Sequence, residues 1–377
     1  MNRVEQYLND KLKEREQAGN LRSLKIQRAA VDFFSNDYLG LVTTGALQQM
    51  MQASTDEGTT GSTGSRLLSG NTKATEILED KIAAFHHGEA ALLFNSGYDA
   101  NIGLITAISN RHTIILYDEL CHASIIDGTR MGMSAACHKF RHNDVNDLEE
   151  RLKKLTGKGP ILIIVESIYS MDGDTAPLTE IVAIAERYNA QIIVDEAHAT
   201  GVTGRHGEGV VYTQNLQDKI FARVHTYGKA MGCHGATVIG GALLKHYLIN
   251  FSRPFVFTTA LPGHAIKAIG CAYDHLSSPT FTNQPLHDLI TYFRAHVSNG
   301  KHSTWSDSAS PIQAFITGDN EVSKTLATQL QQAGLQINPI LHPTVALGQE
   351  RLRICLHSFN TREQIDKIFE IINAWCD

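Results

Sequence analysis

Five short apolar runs in the sequence are each followed by a turn that is rich in polar side chains. The five turns span 95–98 (NSGY), 118–122 (DELCH), 166–174 (ESIYSMDGD), 195–198 (DEAH) and 226–229 (TYGK). If the runs are parallel strands, their carboxyl ends meet at one edge of a sheet, where helix N-termini present free N–H groups to anionic ligands. The spacing therefore predicts a site for a phosphorylated ligand along that edge.

Asp195 and Lys229 are the pair with the most specific chemistry. Asp195 directly follows the run 191–194, and Lys229 follows a glycine in a later turn. A buried carboxylate can keep a pyridine nitrogen protonated, and a lysine amine can hold an aldehyde as a Schiff base. Pyridoxal phosphate needs both groups, and His198 could hydrogen-bond the phenolic oxygen of its ring. Each residue alone has an ordinary interpretation, Asp195 as a helix cap and Lys229 as a solvated side chain.

Other classes of active site are not supported by the motifs. The DEAH sequence at 195–198 is also a helicase motif, but the chain has no G-x-x-x-x-G-K-[ST] phosphate loop. The glycines at 58, 61 and 64 have the wrong spacing for a dinucleotide fingerprint, and a G-x-S-x-G nucleophile elbow is absent. The histidines at 86–87 and the 138/142 pair lack the cysteine or carboxylate spacing of a metal site, so we expect no metal.

The apolar runs alternate with segments of helical periodicity, which predicts a mainly parallel sheet with helices on both faces. The runs are 90–94, 113–117, 161–165, 191–194 and 221–225. Beyond about residue 262 this alternation weakens, and the segment 351–357 (RLRICLH) precedes a final helix from about residue 361. We therefore predict an α/β fold in three parts: an N-terminal helix and short strand over 1–45, a large α/β domain over 46–255 and a smaller α+β domain over 256–377.

The composition of the chain argues against nucleic acid and membrane as binding partners. The 377 residues include 33 basic and 39 acidic side chains, a net charge of −6, without a long basic run, which argues against nucleic acid. No apolar stretch approaches the roughly 18 residues of a membrane span. The segment from Val4 to Gln17 predicts a charged amphipathic helix rather than a signal or transit peptide. The six cysteines form no C-x-x-C pair, and we expect them to be reduced in a cytoplasmic protein.

Nine segments of the sequence resemble the α-oxoamine synthases, a family of fold-type-I pyridoxal-phosphate enzymes. The segments are FSNDYLGL (34–41), GSTGSRLLSGN (61–71), NSGYDAN (95–101), DELCHASIIDG (118–128), SMDGDTAPL (170–178), VDEAHATGVTGRHGEG (194–209), TYGKAMGCHGA (226–236), FTTALP (257–262) and RLRICLH (351–357). Their order and spacing agree with the family from about residue 20 to 360. The resemblance implies pyridoxal 5′-phosphate as the cofactor and a homodimer with its active sites at the interface.

The resemblance also implies roles for individual residues around the cofactor ring. Lys229 would bind the aldehyde and later move the Cα proton, Asp195 would bind the ring nitrogen, and His122 would stack on the ring. His198 and Ser170 would hold the oxygen side of the ring. Lys229, Asp195, His122 and His198 are therefore the expected catalytic set.

Further contacts are implied for the phosphate and the substrates. The phosphate would lie near Gly97 and Tyr98, with Thr226 from the same chain and Thr258 or Thr259 from the neighbouring subunit. Arg353 and Asn36 would take the amino-acid carboxylate, for which a planar guanidinium is well suited. The acyl substrate would lie near Arg22 and Thr344, and His122 would also contact substrate. Glu166 matches an acid near the cofactor to which the sequence assigns no role.

The implied reaction is the decarboxylating condensation of an amino acid with an acyl thioester. Among members of the family the motifs favour the one that joins L-alanine to a pimeloyl thioester, carried on coenzyme A or on acyl carrier protein, in biotin biosynthesis. Glycine C-acetyltransferase, 5-aminolevulinate synthase and serine palmitoyltransferase share nearly all of these residues. An inactive regulatory relative is disfavoured because Lys229, Asp195, His198 and Arg353 are all present.

Overall fold

A computed structural model of the chain describes residues 2–24, 30–55, 58–299 and 304–376. The helices are α1 (Arg3–Gln17), α2 (Ala46–Ala53), α3 (Lys73–Phe85), α4 (Gly97–Ile108), α5 (Ala123–Met131), α6 (Val145–Leu155), α7 (Leu178–Arg187), α8 (Val210–Thr213), α9 (Ala242–Phe251), α10 (Arg253–Val256), α11 (Gly263–Leu276), α12 (Gln284–Asn299), α13 (Asn320–Gln332) and α14 (Arg362–Cys376), with a 3₁₀ turn at Gln217–Lys219. The strands are β1 (Val31–Asp32), β2 (Ala90–Phe94), β3 (Ile114–Asp118), β4 (Ala136–Phe140), β5 (Ile161–Glu166), β6 (Ala190–Asp195), β7 (Ala222–Thr226), β8 (Ala236–Gly240), β9 (Ile312–Ile316), β10 (Leu335–Gln336), β11 (Asn338–Ile340) and β12 (Arg351–Cys355).

The described residues form two compact units. Unit 1 holds the residues up to 35, the short stretch 171–174 and the residues from 286 onward, and unit 2 holds 36–170 and 175–285. Within the described residues no helix is long and apolar enough to cross a membrane.

A seven-stranded sheet organises unit 2, with the strand order β2-β8-β7-β6-β5-β3-β4. The pairs from β7 through β6, β5 and β3 to β4 are parallel, whereas β8 runs antiparallel to both β7 and β2. Every residue of β5 and β7 is buried, as expected where helices cover both faces of a sheet. The predicted α/β fold with a mainly parallel sheet is therefore confirmed.

All five predicted strands are present, and their ends differ from the predicted ends by one residue at most. The sequence analysis missed two further strands of the same sheet. Strand β4 (ACHKF) lies at the sheet edge and exposes its three central residues, so it lacks an apolar run. Strand β8 follows the turn at 226–229 and returns antiparallel beside β7, which the strand-to-helix alternation does not anticipate.

Unit 1 is a smaller α+β unit. Strand β12 is central in a three-stranded antiparallel sheet between β11 and β9, and β1 pairs in parallel with β10. The alternating segment predicted at 351–357 forms β12, and the predicted N-terminal helix is α1, whose cap is a box in which Asn2 and Glu5 each accept the other's main-chain N–H.

The boundaries of the two units differ from the domain boundaries that the sequence predicted after residues 45 and 255. Unit 2 continues to residue 285 because α11 packs into it. Ile269 and Tyr273 of α11 share a hydrophobic cluster with Leu47 of α2 and Ile82 of α3.

A buried polar network lies beneath β7 in unit 2. His86 is fully buried, with Nδ1 2.9 Å from the carbonyl oxygen of Glu208 and Nε2 2.8 Å from the hydroxyl of Tyr273. Its ring also lies 3.8 Å, centroid to centroid, from that of His225. Burial, and next the charge of Arg223, lower the pKa of His86 to about 3. The imidazole is therefore neutral in the folded protein near pH 7.

His86 makes stability depend on pH. In the unfolded chain a histidine takes up a proton near pH 6.5, whereas the folded protein resists this until about pH 3, so acidification below pH 6.5 favours unfolding. We expect His86→Gln to reduce the loss of unfolding free energy between pH 6 and pH 5 by about 1 kcal/mol. Urea unfolding at the two pH values measures this difference, and equal losses in wild type and variant would contradict it.

Candidate active site

A cavity of about 260 Å³ lies at the carboxyl edge of the unit 2 sheet. Eight of the predicted site residues line it: Asn36, Gly97, Tyr98, His122, Asp195, His198, Thr226 and Lys229. Glu166, to which the sequence assigned no role, is also in the wall. The remaining lining residues are Ser96, Asn101, Ser124, Ala197, Gly228, His234 and Gly235.

The N-terminus of α4 forms one end of the cavity. Ser96 caps this helix by accepting the main-chain N–H of Asp99 at 3.1 Å. A Cβ at position 97 would stand 2.4 Å from Cγ2 of Thr226, so the absence of a side chain at Gly97 lets α4 begin against the end of β7. The buried hydroxyl of Thr226 has no hydrogen-bond partner among the described residues. A helix N-terminus beside an unsatisfied hydroxyl suits a phosphate group.

Both carboxylate oxygens of Asp195 are fixed by N–H donors. Oδ2 accepts from Nδ2 of Asn101 at 2.7 Å, and Oδ1 accepts from the main-chain N–H of Ala197 at 2.9 Å. Asn101 lies on α4, four residues after Gly97, among apolar neighbours. An isolated amide on an apolar helix was the sequence signal that could have identified it, and the sequence analysis missed it.

Glu166 is the neighbour of Asp195 across the sheet, since the two residues are register partners at the ends of β5 and β6. Burial, and next the charge of Asp195, raise the pKa of Glu166 well above its ordinary value, against the opposing influence of Lys229. The raised pKa favours the protonated form of the Glu166 carboxyl group. Its Oε1 accepts the main-chain N–H of His122.

His122 caps helix α5 and presents its ring to the cavity. Its Nδ1 accepts the main-chain N–H of Ser124 at 3.2 Å and lies 2.8 Å from the Ser124 hydroxyl. With Nδ1 as an acceptor, the ring proton of a neutral imidazole is on Nε2. Burial lowers the pKa of His122, which Asp195 raises in part and Lys229 lowers further.

His198 is held by Tyr38, a residue within the segment 34–41 that the sequence analysis did not single out. The hydroxyl of the fully buried Tyr38 lies 2.9 Å from Nδ1 of His198 and donates to Oδ1 of Asn36 at 2.9 Å. One hydroxyl therefore orients two predicted site residues.

Three predicted cofactor residues lie outside this cavity wall. Ser170 is buried four residues after β5, at the end of the first of the two stretches of unit 2. Asn95, next to the cap residue of α4, donates from Nδ2 to the Thr258 hydroxyl at 3.1 Å and to the carbonyl of Thr259 at 2.8 Å. These two threonines are thus hydrogen-bonded to the residue that precedes the α4 cap in their own chain.

The other predicted substrate residues belong to unit 1. Arg353 is buried on β12, with Nη1 2.9 Å from Sγ of Cys355. Arg22 donates from Nη2 to the hydroxyl of Thr344 at 3.0 Å, so the two residues predicted near the acyl substrate contact each other.

Comparison with known proteins identifies the family. Residues 28–372 match the family model described as aminotransferase class I and II. The chain belongs to the class I and II aminotransferases. Within this family, 8-amino-7-oxononanoate synthase of Emericella nidulans is 39% identical, over 98% of this chain and 95% of the relative. The predicted resemblance is therefore confirmed.

Solved structures of the same fold agree over nearly the whole chain. Serine palmitoyltransferase from S. paucimobilis, with a bound PLP–myriocin aldimine, is 25% identical with a TM-score of 0.86 and covers 99% of this chain and 98% of its own. 8-Amino-7-oxononanoate synthase from Francisella tularensis is 28% identical with a TM-score of 0.79, covering 92% and 98%. The predicted fold class of this aminotransferase-family chain is confirmed by both.

A third carboxyl group, next to those of Glu166 and Asp195, should destabilise the fold. Asn101→Asp replaces an N–H donor with an acceptor of almost the same shape, 2.7 Å from a carboxylate oxygen. We expect the free energy of unfolding to fall by about 2–4 kcal/mol at pH 8. The loss should shrink toward pH 5, because the folded state then gains a proton that relieves the repulsion.

Urea unfolding at pH 8 and pH 5 measures both effects. Asn146→Asp is the matched control, since Asn146 is exposed in the first turn of α6, where an acid is tolerated. A similar change in the two variants would contradict the assignment of Asn101 as the donor that stabilises the Asp195 carboxylate.

Proposed function

We propose that the chain is an 8-amino-7-oxononanoate synthase that uses pyridoxal 5′-phosphate to condense L-alanine with a pimeloyl thioester, releasing the free thiol of the acyl carrier and carbon dioxide. The observation that carries the proposal is the placement of Asp195 and Lys229 in one cavity that also contains His122 and His198. The relative from Emericella nidulans favours this reaction among those of the family.

The side chains of the cavity fit this cofactor. Asp195, with both oxygens ordered by N–H donors, would bind the protonated ring nitrogen. The N-terminus of α4 and the unsatisfied hydroxyl of Thr226 would hold the phosphate. His198, oriented by Tyr38, would hold the phenolic oxygen together with Ser170. Lys229 would form the covalent bond to the aldehyde.

The residues around the proposed cofactor site have separate roles in the reaction. Bound here, pyridoxal phosphate supplies a cationic ring that accepts the electron pair left when a bond to the amino-acid Cα breaks. Lys229 removes the proton from Cα and returns one to the product. Asp195 would keep the ring nitrogen protonated, and His122, whose pKa is lowered by desolvation, would cover one face of the ring.

The amino-acid and acyl contacts complete the proposal. Arg353 and Asn36 would bind the carboxylate of L-alanine, and Arg22 with Thr344 would lie near the acyl chain. Asn36 lines the cavity, which supports its role, and the Arg22–Thr344 hydrogen bond supports treating those two residues as one contact.

We also propose a homodimer in which Thr258 or Thr259 contacts the phosphate bound by the partner subunit. Phe257, immediately before Thr258, is 72% exposed in the single chain, as an interface residue would be. The cytoplasmic location stays a prediction.

A spectral titration tests the function. Purified protein loaded with pyridoxal phosphate is titrated with L-alanine, glycine and L-serine, and pimeloyl-coenzyme A or pimeloyl-acyl carrier protein is then added. We expect L-alanine to shift the visible absorbance, and mass spectrometry to detect 8-amino-7-oxononanoate with at least one acyl donor. Turnover only with glycine and a short acyl thioester would contradict the named reaction.

The Lys229→Ala variant tests the role of Lys229 in the reaction. Its cavity keeps the proposed ring and phosphate contacts, so we expect it to retain bound cofactor while losing product formation by at least about 10³-fold. Near-normal turnover in this variant would overturn the assignment of Lys229.

A further inference from the structure

The backbone N–H of His122 donates to a side chain outside its own helix. His122 is the N-cap of α5, and the N–H of a capping residue has no partner inside its own helix. In a capping box, a Glu or Gln at the third helical position accepts that N–H. Position three of α5 is Ile125, which has no acceptor, and Glu166 accepts the N–H from the end of β5 instead. The acceptor of the capping box thus comes from the sheet.

The imidazole ring of His122 is also held by a hydrogen bond. The hydroxyl of Ser124 accepts from Nδ2 of Asn101 at 3.0 Å and therefore can donate its own proton to Nδ1 of His122, 2.8 Å away. The same Asn101 amide donates to Asp195. Because Glu166 and Asp195 are register partners on adjacent strands, these contacts close into a ring. Glu166, Ser124 and Asn101 are the three residues that connect His122 to Asp195.

We propose that Glu166 is a positioning residue that fixes His122 relative to Asp195 by accepting the His122 main-chain N–H. The inference rests on the proposed function, in which His122 covers the ring whose nitrogen Asp195 binds. In this role Glu166 acts through its Oε1 acceptor. A glutamine at this position keeps the acceptor, whereas a leucine of similar size removes it and leaves the His122 N–H without this acceptor.

Three variants separate this role from a general structural one. Glu166→Gln preserves the acceptor, Glu166→Leu removes it, and Ser167→Ala is the matched control. Ser167 is the next residue and is equally buried, but its hydroxyl donates to Glu196 at 2.8 Å, a residue outside the cavity wall. If Glu166→Leu fails to fold, Glu166→Asp takes its place, because the shorter side chain withdraws the acceptor.

The first readout is hydrogen exchange of the peptide 118–131 in the protein without cofactor. We expect Glu166→Leu to speed exchange at the start of α5 by about tenfold or more, and Glu166→Gln and Ser167→Ala to match wild type. Unchanged exchange in Glu166→Leu would overturn the proposal, whatever the enzyme catalyses.

The second readout uses the protein loaded with pyridoxal phosphate. We expect Glu166→Leu to weaken the visible circular dichroism of the bound cofactor and to lower kcat with L-alanine about tenfold, with a smaller change in KM. Glu166→Gln should stay within about threefold of wild type. Equal defects in the Gln and Leu variants, or an equal defect in Ser167→Ala, would overturn the proposal. A wild-type protein without a visible cofactor band would instead contradict the proposed function, and hydrogen exchange would still decide the role of Glu166.

Discussion

Two carboxyl groups stand side by side, buried, at the ends of β5 and β6, and the cavity is built around them. Register pairing places Glu166 next to Asp195, and burial makes two adjacent negative charges too costly. The raised pKa of Glu166 favours its protonated form, and the Asp195 carboxylate accepts hydrogen bonds from N–H groups of Asn101 and Ala197. The hydrogen bond from Asn101 ties α4 to this carboxylate pair, and Lys229 lines the same cavity.

The sheet edge explains why so much could be predicted from the sequence. Buried parallel strands need continuous apolar runs, and the polar turns that follow them stand out against those runs, so Asp195, His122, Thr226 and Lys229 could be grouped before any coordinates. Glu166 stood in the same pattern without a role, because its role depends on pairing with β6 and on a helix cap that lacks its own acceptor. Neither relation is a feature of local sequence.

The remaining misses have similar causes. Asn101 and Ser124 act through hydrogen bonds between helices, and Tyr38 reaches His198 from a segment 160 residues earlier in the chain. Spacing along the chain carries no information about such contacts. The boundary of unit 2 differs from the predicted domain boundary for a related reason. Helix α11 belongs to unit 2 through hydrophobic packing on α2 and α3, whereas the loss of strand-to-helix alternation after residue 262 suggested a new domain.

The close approach of Gly97 to Thr226 has a consequence for how such a cavity can change over evolution. Only 2.4 Å would separate a Cβ at position 97 from the Thr226 methyl group, so the two positions form a single steric unit. A larger residue at 97 becomes possible only when 226 loses its methyl, as in serine, which retains the hydroxyl. A larger residue at position 97 therefore requires a paired substitution at position 226, and a library that varies one position at a time would miss such pairs.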